Sequence, residues 1–361
     1  MKSCPFPFRI LVSLGFLSVL IPSILAGETI ADGFEAGAAG AQLESGANGS
    51  TGVGLAGGVG WGGTYDVSNA IKSLVKVENR AAAPVVYSSG GISLHGGERA
   101  LRFYDIANGS YAVQRPLGRV FSAPAGETVW FSFLFRTSAA SPLTNQDFFQ
   151  VGFDDNSNAS SGSPRVSIGA NTLGTVFAPT QPFQFFARST TTVANSSFDG
   201  SVSIAAGTTY LLVGRVSASG GTFTEVMLYV NPTTLTEPAI ASASVTANSG
   251  LMTISHLFIR TVGLDNGDAY VLDELKIGND YGSVVSPGPL GDILRWSPPI
   301  GMGDIGVLRW SALFGGVLLE TSPSMEPNTW SIIPSPFTRV GDEFQFPVLG
   351  GAEREFYRLR R

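Results

Sequence analysis

The chain has 361 residues, with 22 basic and 28 acidic side chains, 45 glycines and one cysteine. A net charge of −6 and a charged fraction of only 14% exclude the basic stripe that nucleic-acid binding requires. The length allows two domains, and many glycines with few charges fit a turn-rich β protein.

Residues 1–26 read as an export signal, which places the protein outside the cytoplasm, either secreted or held at the cell surface. Lys2 and Arg9 open the segment, Ile10 to Leu20 is mostly apolar, and Ala26 is the expected cleavage point. The alternative is a membrane anchor, but the apolar run is shorter than the roughly 20 residues of a bilayer span. Cleavage would remove Cys4, Lys2 and Arg9, leaving no thiol and 20 basic against 28 acidic side chains, a net of −8. No segment beyond the signal is long and apolar enough to span a membrane. A disulfide-free exported chain must rest on a large core, and about 335 residues suffice for one.

Residues 37–63 hold 11 glycines in 27 positions and are expected to form a long loop over a sheet edge; the alternative is a lid on a binding face. Residues 68–78 allow one short helix, and elsewhere the pattern has period two. Expected strands are Ile30–Phe34, Leu101–Tyr104, Tyr111–Gln114, Val129–Arg136, Phe148–Phe153, Val166–Ile168, Tyr210–Val216, Val226–Val230, Leu257–Thr261 and Tyr270–Ile277. In Val129–Arg136 the alternation sets Phe131, Phe133 and Phe135 on one face against Trp130, Ser132 and Leu134 on the other. Asn108-Gly109, Asp199-Gly200, Ser219-Gly220-Gly221 and Asn266-Gly267 mark turns. Short strands at this spacing predict an all-β sandwich or barrel. Ser286-Pro287-Gly288-Pro289 opens a stiff connector over 286–292, and further short strands follow over 293–361.

Asp32-Gly33-Phe34-Glu35, Gly58 to Tyr65, Leu101-Arg102-Phe103, Val129 to Arg136, Tyr210 to Val216, Leu228 to Pro232 and Asp273 to Gly278 occur in an order that resembles the concanavalin A-like, laminin-G-like jelly-roll domains of secreted bacterial proteins. Leu318 to Ser322, Trp330 and Phe356-Tyr357-Arg358-Leu359 resemble the small C-terminal β module found in such proteins. The resemblance implies a concanavalin A-like jelly-roll β-sandwich over 27–285 followed by a small β module. Such domains include carbohydrate-binding modules, adhesion domains and glycan-cleaving enzymes, so fold alone does not settle function.

Simple alternation puts Asp273 on one face with Val271, Leu275 and Ile277, where an ionised carboxylate needs a partner. That partner is either a calcium ion, which takes oxygen ligands, or hydrogen-bond donors from the backbone or an arginine. The resemblance implies a structural calcium between the first and last strands, with Asp32, Glu35 and Asp273 at the matching positions. Asp154-Asp155-Asn156-Ser157-Asn158 departs from an EF-hand loop at Ala159 and Arg165 and is read as a polar hairpin.

Sugar binding needs exposed aromatic rings beside polar groups. Trp61, Tyr65, Tyr104, Phe183, Phe185 and Phe186 are the candidates, each weighed against plain core packing. Gln181, Gln184 and Arg188 stand beside the phenylalanines as hydrogen-bonding groups. No Gly-x-Ser-x-Gly elbow and no Glu-x-Asp-x-Glu run occurs, and His95 and His256 are the only histidines. His256 is read as a strand end. These observations predict a non-catalytic protein that binds a polysaccharide or another cell-surface component. The alternatives are a structural or adhesive protein without a small ligand, and a glycan-active enzyme with an unusual carboxylate pair.

Overall fold

The computed structural model describes residues 29–34, 37–45, 54–67, 74–104, 109–137, 148–155, 164–171, 184–190, 195–264, 268–286, 295–297, 306–311, 318–323, 329–334, 337–340, 343–348 and 356–360. The expected signal, Glu35, Gln181, Phe183 and the connector from Pro287 to Asp292 lie outside the described residues.

In chain order the strands are β1 (Ile30–Asp32), β2 (Asp66–Val67), β3 (Val75–Asn79), β4 (Val86–Ser89), β5 (Ile92–His95), β6 (Arg99–Tyr104), β7 (Gly109–Ser122), β8 (Val129–Thr137) and β9 (Phe148–Asp154). There follow β10 (Val166–Asn171), β11 (Gln184–Ser189), β12 (Ser196–Asp199), β13 (Thr209–Ser219), β14 (Thr222–Val230), β15 (Ala243–Thr246), β16 (Thr253–Leu264) and β17 (Ala269–Gly278), then the short helix α1 (Tyr281–Val285). Sheet I runs β15-β14-β13-β8-β17-β6-β3, with β1 added to β17, and sheet II runs β12-β11-β10-β9-β16-β7-β2. The molecule is therefore an all-β jelly-roll sandwich. Sequence-distant strands sit side by side, as in β8 between β13 and β17, so the topology rests on non-local pairing.

Alternation explains the core. Phe131, Phe133 and Phe135 of β8 point between the sheets and meet Phe149, Phe153 and Phe185 edge-on or tilted; Phe131–Phe153 and Phe135–Phe149 have ring centroids 4.8 Å apart. Trp130 and Leu134, on the other face of β8, join a second apolar cluster. That cluster covers the outside of sheet I with the β4–β5 hairpin and α1, where Val85, Ile92, Leu94, Val284 and Val285 are buried. The N-cap Asp280 accepts a hydrogen bond from the Ser283 amide and starts α1.

Two expectations change here. Val75–Asn79, expected within a short helix, is strand β3, because Val75 and Val77 alternate inward and β-branched residues favour the pleat. Simple alternation also fails along β17. A bulge between Asp273 and Lys276 leaves Tyr270, Leu272, Leu275 and Ile277 in the main core while Val271 joins the outer cluster. Asp273 pairs with Leu134 of that outer cluster, so it does not share a face with Leu275 and Ile277. The extra residue shifts the two-residue period by one, and Glu274 there takes φ +49°.

The described parts of the glycine-rich stretch, 37–45 and 54–63, lie along the sandwich edge, as the loop reading expected. Gly40 N–H donates to Val77 O, Leu43 N–H to Val75 O, and Val59 bridges to Ala31. Gly54 has no room for a side chain, since a Cβ would sit 1.6 Å from Tyr65 O. Toward the C-terminus, Arg295–Ser297, Gly306–Ser311, Glu343–Val348 and Thr338–Val340 form a four-stranded sheet. Ser331–Ile332, Leu318–Ser322 and Phe356–Arg360 form a three-stranded one, and Leu308, Trp310 and Leu319 are buried between apolar neighbours.

Candidate functional site

The outer face of sheet II differs from that of sheet I. No second apolar cluster lies on it among the described residues. Register sets its side chains in rows across the strands. One row reads Asp66 (β2), Gln114 (β7), Phe258 (β16), Gly152 (β9), Ser167 (β10), Arg188 (β11), Ser196 (β12). The next reads Ala112 (β7), Arg260 (β16), Gln150 (β9), Gly169 (β10), Phe186 (β11), Phe198 (β12). Each of these residues alternates with one of the main core, such as Val113, Ile259, Val151, Ile168 and Ala187.

Polar contacts within the face are specific. Gln114 Nε2 donates to Asp66 Oδ2 at 2.6 Å, and Ser167 Oγ donates to Gln150 Oε1 at 3.1 Å. Arg188 Nε donates to Ser196 Oγ at 2.7 Å. Its guanidinium lies 4.7 Å from the Phe186 ring centre and 5.1 Å from that of Phe148, and those two rings stack at 5.5 Å. Gln150 Nε2 and Arg188 Nη2 are buried and have no hydrogen-bond partner among the described residues. Such groups are costly to leave unsatisfied. Burial and the neighbouring Arg260 charge push the Arg188 pKa down to about 10, and burial lowers that of Arg260. Both remain cationic at neutral pH.

At one end of this face, His256 pairs across the strands with Asp154. It lies within β16 beside an irregularity at Ile254/His256, not at a strand end as expected, because β16 already begins at Thr253. Ser255 Oγ lies 2.8 Å from His256 Nδ1. Burial lowers the His256 pKa, against the opposing pull of Asp154 and Asp155. Those two carboxylates bind Arg165, whose Nη2 is 2.8 Å from Asp154 Oδ1, so this end of the hairpin is held by ion pairs.

The sequence-predicted sugar platform is dispersed. Phe185 faces the main core, where its ring lies 5.0 Å from that of Tyr210. Phe186 is on the outer face but fully buried, so it supports Arg188 and offers no open surface to a sugar ring. Tyr65 is a core residue whose hydroxyl donates to Asp32 Oδ2 at 3.0 Å. Trp61 is half-buried, donates to Ala31 O at 3.1 Å and stacks on Arg115 at 4.4 Å. It also lines an open pocket of about 410 Å³ with Thr29, Ile30, Gly60, Gly118 and Arg119. Tyr104 carries Arg102 over its ring at 4.5 Å on sheet I, far from the polar rows in strand order. Of the polar neighbours of the phenylalanines, Gln184 and Arg188 both lie on this face, on β11 beside the edge strand β12; Arg260 and Gln150 went unnoticed in sequence. Their signal was present, since each is a polar residue at an outward position of an otherwise apolar strand.

Of the expected calcium ligands, Asp32 and Asp273 are not brought together, and Glu35 lies outside the described residues. Asp32 is buried and accepts from Arg115 Nη1 at 2.6 Å, from Tyr65 and from the Phe34 amide at 2.7 Å. It pairs with Leu275 on the core side of β17. Asp273 lies beyond the bulge on the outer side, where its Oδ1 accepts from the Glu274 amide at 2.8 Å and its carboxylate lies against Gly96. No group of three carboxylate or histidine side chains fit for a metal occurs among the described residues.

No family model matches the chain, and no curated protein does. Solved structures do resemble it in fold. An endo-β-1,4-glucuronan lyase from the fungus Trichoderma reesei is 14% identical, over 60% of this chain and 94% of that one, with a TM-score of 0.34. The alginate lyase Aly36B is 14% identical over 55% and 93%, also at 0.34. The lectin UEA-II complexed with galactose is 11% identical over 54% and 93%, at 0.35. The expectation that this chain is not an enzyme is corrected: the fold is shared by polysaccharide lyases as well as a lectin, so it does not mark the chain as non-catalytic. Sequence reading looked for paired carboxylates and a serine elbow, and an elimination reaction depends on neither.

Proposed function

We propose that the chain is an exported protein that recognises a polysaccharide across the outer face of sheet II. The observation that carries this reading is the set of polar groups on that face, where the half-buried Arg260 stands beside the buried Gln150 and Arg188, whose Nε2 and Nη2 have no partner among the described residues. Hydroxyl-rich ligands suit such a surface, since each donor or acceptor left unmet in the free protein gains a partner on binding.

The test is thermal unfolding of the full chain against a panel of neutral and charged polysaccharides, with calorimetric titration of any that respond. A ligand of the native state raises the midpoint. The same mixtures are assayed for new chain ends, which report whether binding leads to cleavage. A panel with no midpoint rise and no heat of binding overturns the reading.

A further inference from the structure

Resting on the polysaccharide reading above for the class of ligand, we infer that the open pocket beside Trp61, at the β7 edge of sheet II, seats a neutral sugar unit. The pocket holds about 410 Å³, which falls among small-ligand sites. It stands where residues 59–62 run between the two sheets. Val59 bridges to Ala31 of β1, Trp61 bridges to Leu117 of β7, and Gly62 N–H donates to Pro116 O at 3.0 Å. Gly118 N–H donates to Gly60 O at 2.8 Å. The lining is therefore fixed from both sheets before a ligand arrives, which lowers the ordering cost of binding. Gly60 and Gly118 are both exposed and keep the pocket open. A Cβ on Gly118 would lie 2.3 Å from Gly60 O, and one on Gly60, where φ is +75°, would lie 2.9 Å from Ile30 Cγ1. The close approach of the chains requires glycine at both positions and leaves bare peptide as the wall.

The lining argues for a sugar. One face of Trp61 carries the Arg115 guanidinium at 4.4 Å, and Nε1 is spent on Ala31 O. What the half-buried ring gives the pocket is therefore apolar carbon. Thr29 and Arg119 supply polar groups beside it. Arg119 is held in place by Glu127 and by the Phe121 ring at 4.3 Å, yet its side chain is 26% exposed. Its Nη2 serves Glu127, while Nε and Nη1 have no hydrogen-bond partner among the described residues. A pyranose has a C–H face that rests on aromatic carbon and a rim of hydroxyls that accept from such donors.

Charge argues for a neutral unit. Arg119 is paired with Glu127, and Arg115 behind the Trp61 ring is paired with Asp32. No other residue of the lining is charged. An acidic sugar seated here would lose hydration without gaining a free counter-charge, whereas a neutral one loses only hydroxyl hydration that Arg119 and the peptide wall replace.

The experiment titrates the full chain calorimetrically with neutral oligosaccharides of glucose, xylose and mannose, and with an oligogalacturonate. At least one neutral oligosaccharide is expected to bind, with affinity that changes little with salt. The same ligand is expected to protect Trp61 from N-bromosuccinimide, read by mass spectrometry of the peptide that carries it. Trp61→Leu, and Thr29→Tyr, which fills the pocket mouth, are each expected to weaken binding at least tenfold with an unchanged circular dichroism spectrum. Trp61 also supports Arg115, so should Trp61→Leu fail to fold, Thr29→Tyr and the protection of Trp61 carry the test. A neutral ligand that leaves Trp61 open to oxidation and binds Thr29→Tyr as tightly as the parent overturns the inference and leaves the polysaccharide reading standing. Binding of the oligogalacturonate alone overturns the neutral class. Binding of none removes both.

Discussion

Asp32 and Arg115 stand 83 residues apart in the chain and form a buried ion pair at 2.6 Å that joins β1 of sheet I to β7 of sheet II. The pair is saturated on both sides. Asp32 also accepts from Tyr65 and the Phe34 amide, while Arg115 donates to Gly63 O and Gly57 O and stacks on Trp61 and Tyr65. The carboxylate expected to hold a metal and two of the aromatics expected to hold a sugar thus belong to one structural node. Burial raises the Asp32 pKa above the ordinary carboxylate value, and Arg115, the Phe34 amide and Tyr65 offset that rise only in part.

Asp32→Ala leaves the Arg115 charge buried without its partner. A loss of about 3–5 kcal/mol in unfolding free energy is expected by denaturant titration. The double change Asp32→Leu with Arg115→Met should recover most of it, because an apolar pair of similar volume carries no desolvation penalty. A double variant as unstable as the single one would show that packing, not charge, governs the site.

Arg260→Met removes one of two unpaired cations from the outer face of sheet II. The unbound protein should become more stable by about 1 kcal/mol, or roughly 2–4 °C in Tm for a domain of this size. An arginine that served only the fold would give a drop in Tm on the same substitution.

His256 is held neutral by burial, with its pKa below the usual value of about 6.5. The unfolded chain takes up its proton first as pH falls, so it binds more protons than the folded one, and stability must decline below about pH 6.5. Asp154 and Asp155 limit the effect, since they draw the folded value back up. Denaturant midpoints between pH 7.5 and 5 should fall in the parent protein and fall less in His256→Gln; parallel curves would assign the acid loss to other groups.

Glu274 combines a left-handed φ of +49° with a buried contact to Lys276 at 3.2 Å, both side chains being 3% exposed. Glu274→Gly relieves backbone strain of about 1–3 kcal/mol but takes from buried Lys276 its carboxylate partner. Removing one member of a buried pair costs about 3–5 kcal/mol, so net destabilisation is expected. A Tm equal to or above that of the parent would place the strain ahead of the ion pair.

Much of the sandwich was legible in the sequence because strand alternation is local. Phe131, Phe133 and Phe135 point inward and Trp130 and Leu134 outward, as their spacing requires, and Val226, Leu228, Met227 and Tyr229 divide in the same way. Alternation misled where one residue was added. The bulge at Glu274 reversed the facing of Asp273, and with it the geometry of the expected calcium site.

Sequence by itself determined which residues of each strand are apolar, where the turns fall and that a β-sandwich follows, since each depends on neighbours two to four positions away. Only the tertiary structure decided that Arg188, Arg260 and Gln150 share one surface, for these lie on β11, β16 and β9, whose adjacency is set by strand order and register across more than a hundred residues. The same applies to Asp32, which became a salt-bridge partner when packing of the two sheets brought Arg115 to it. Charge partners are chosen by through-space distance in a medium of low dielectric, and no local pattern in the chain encodes that distance.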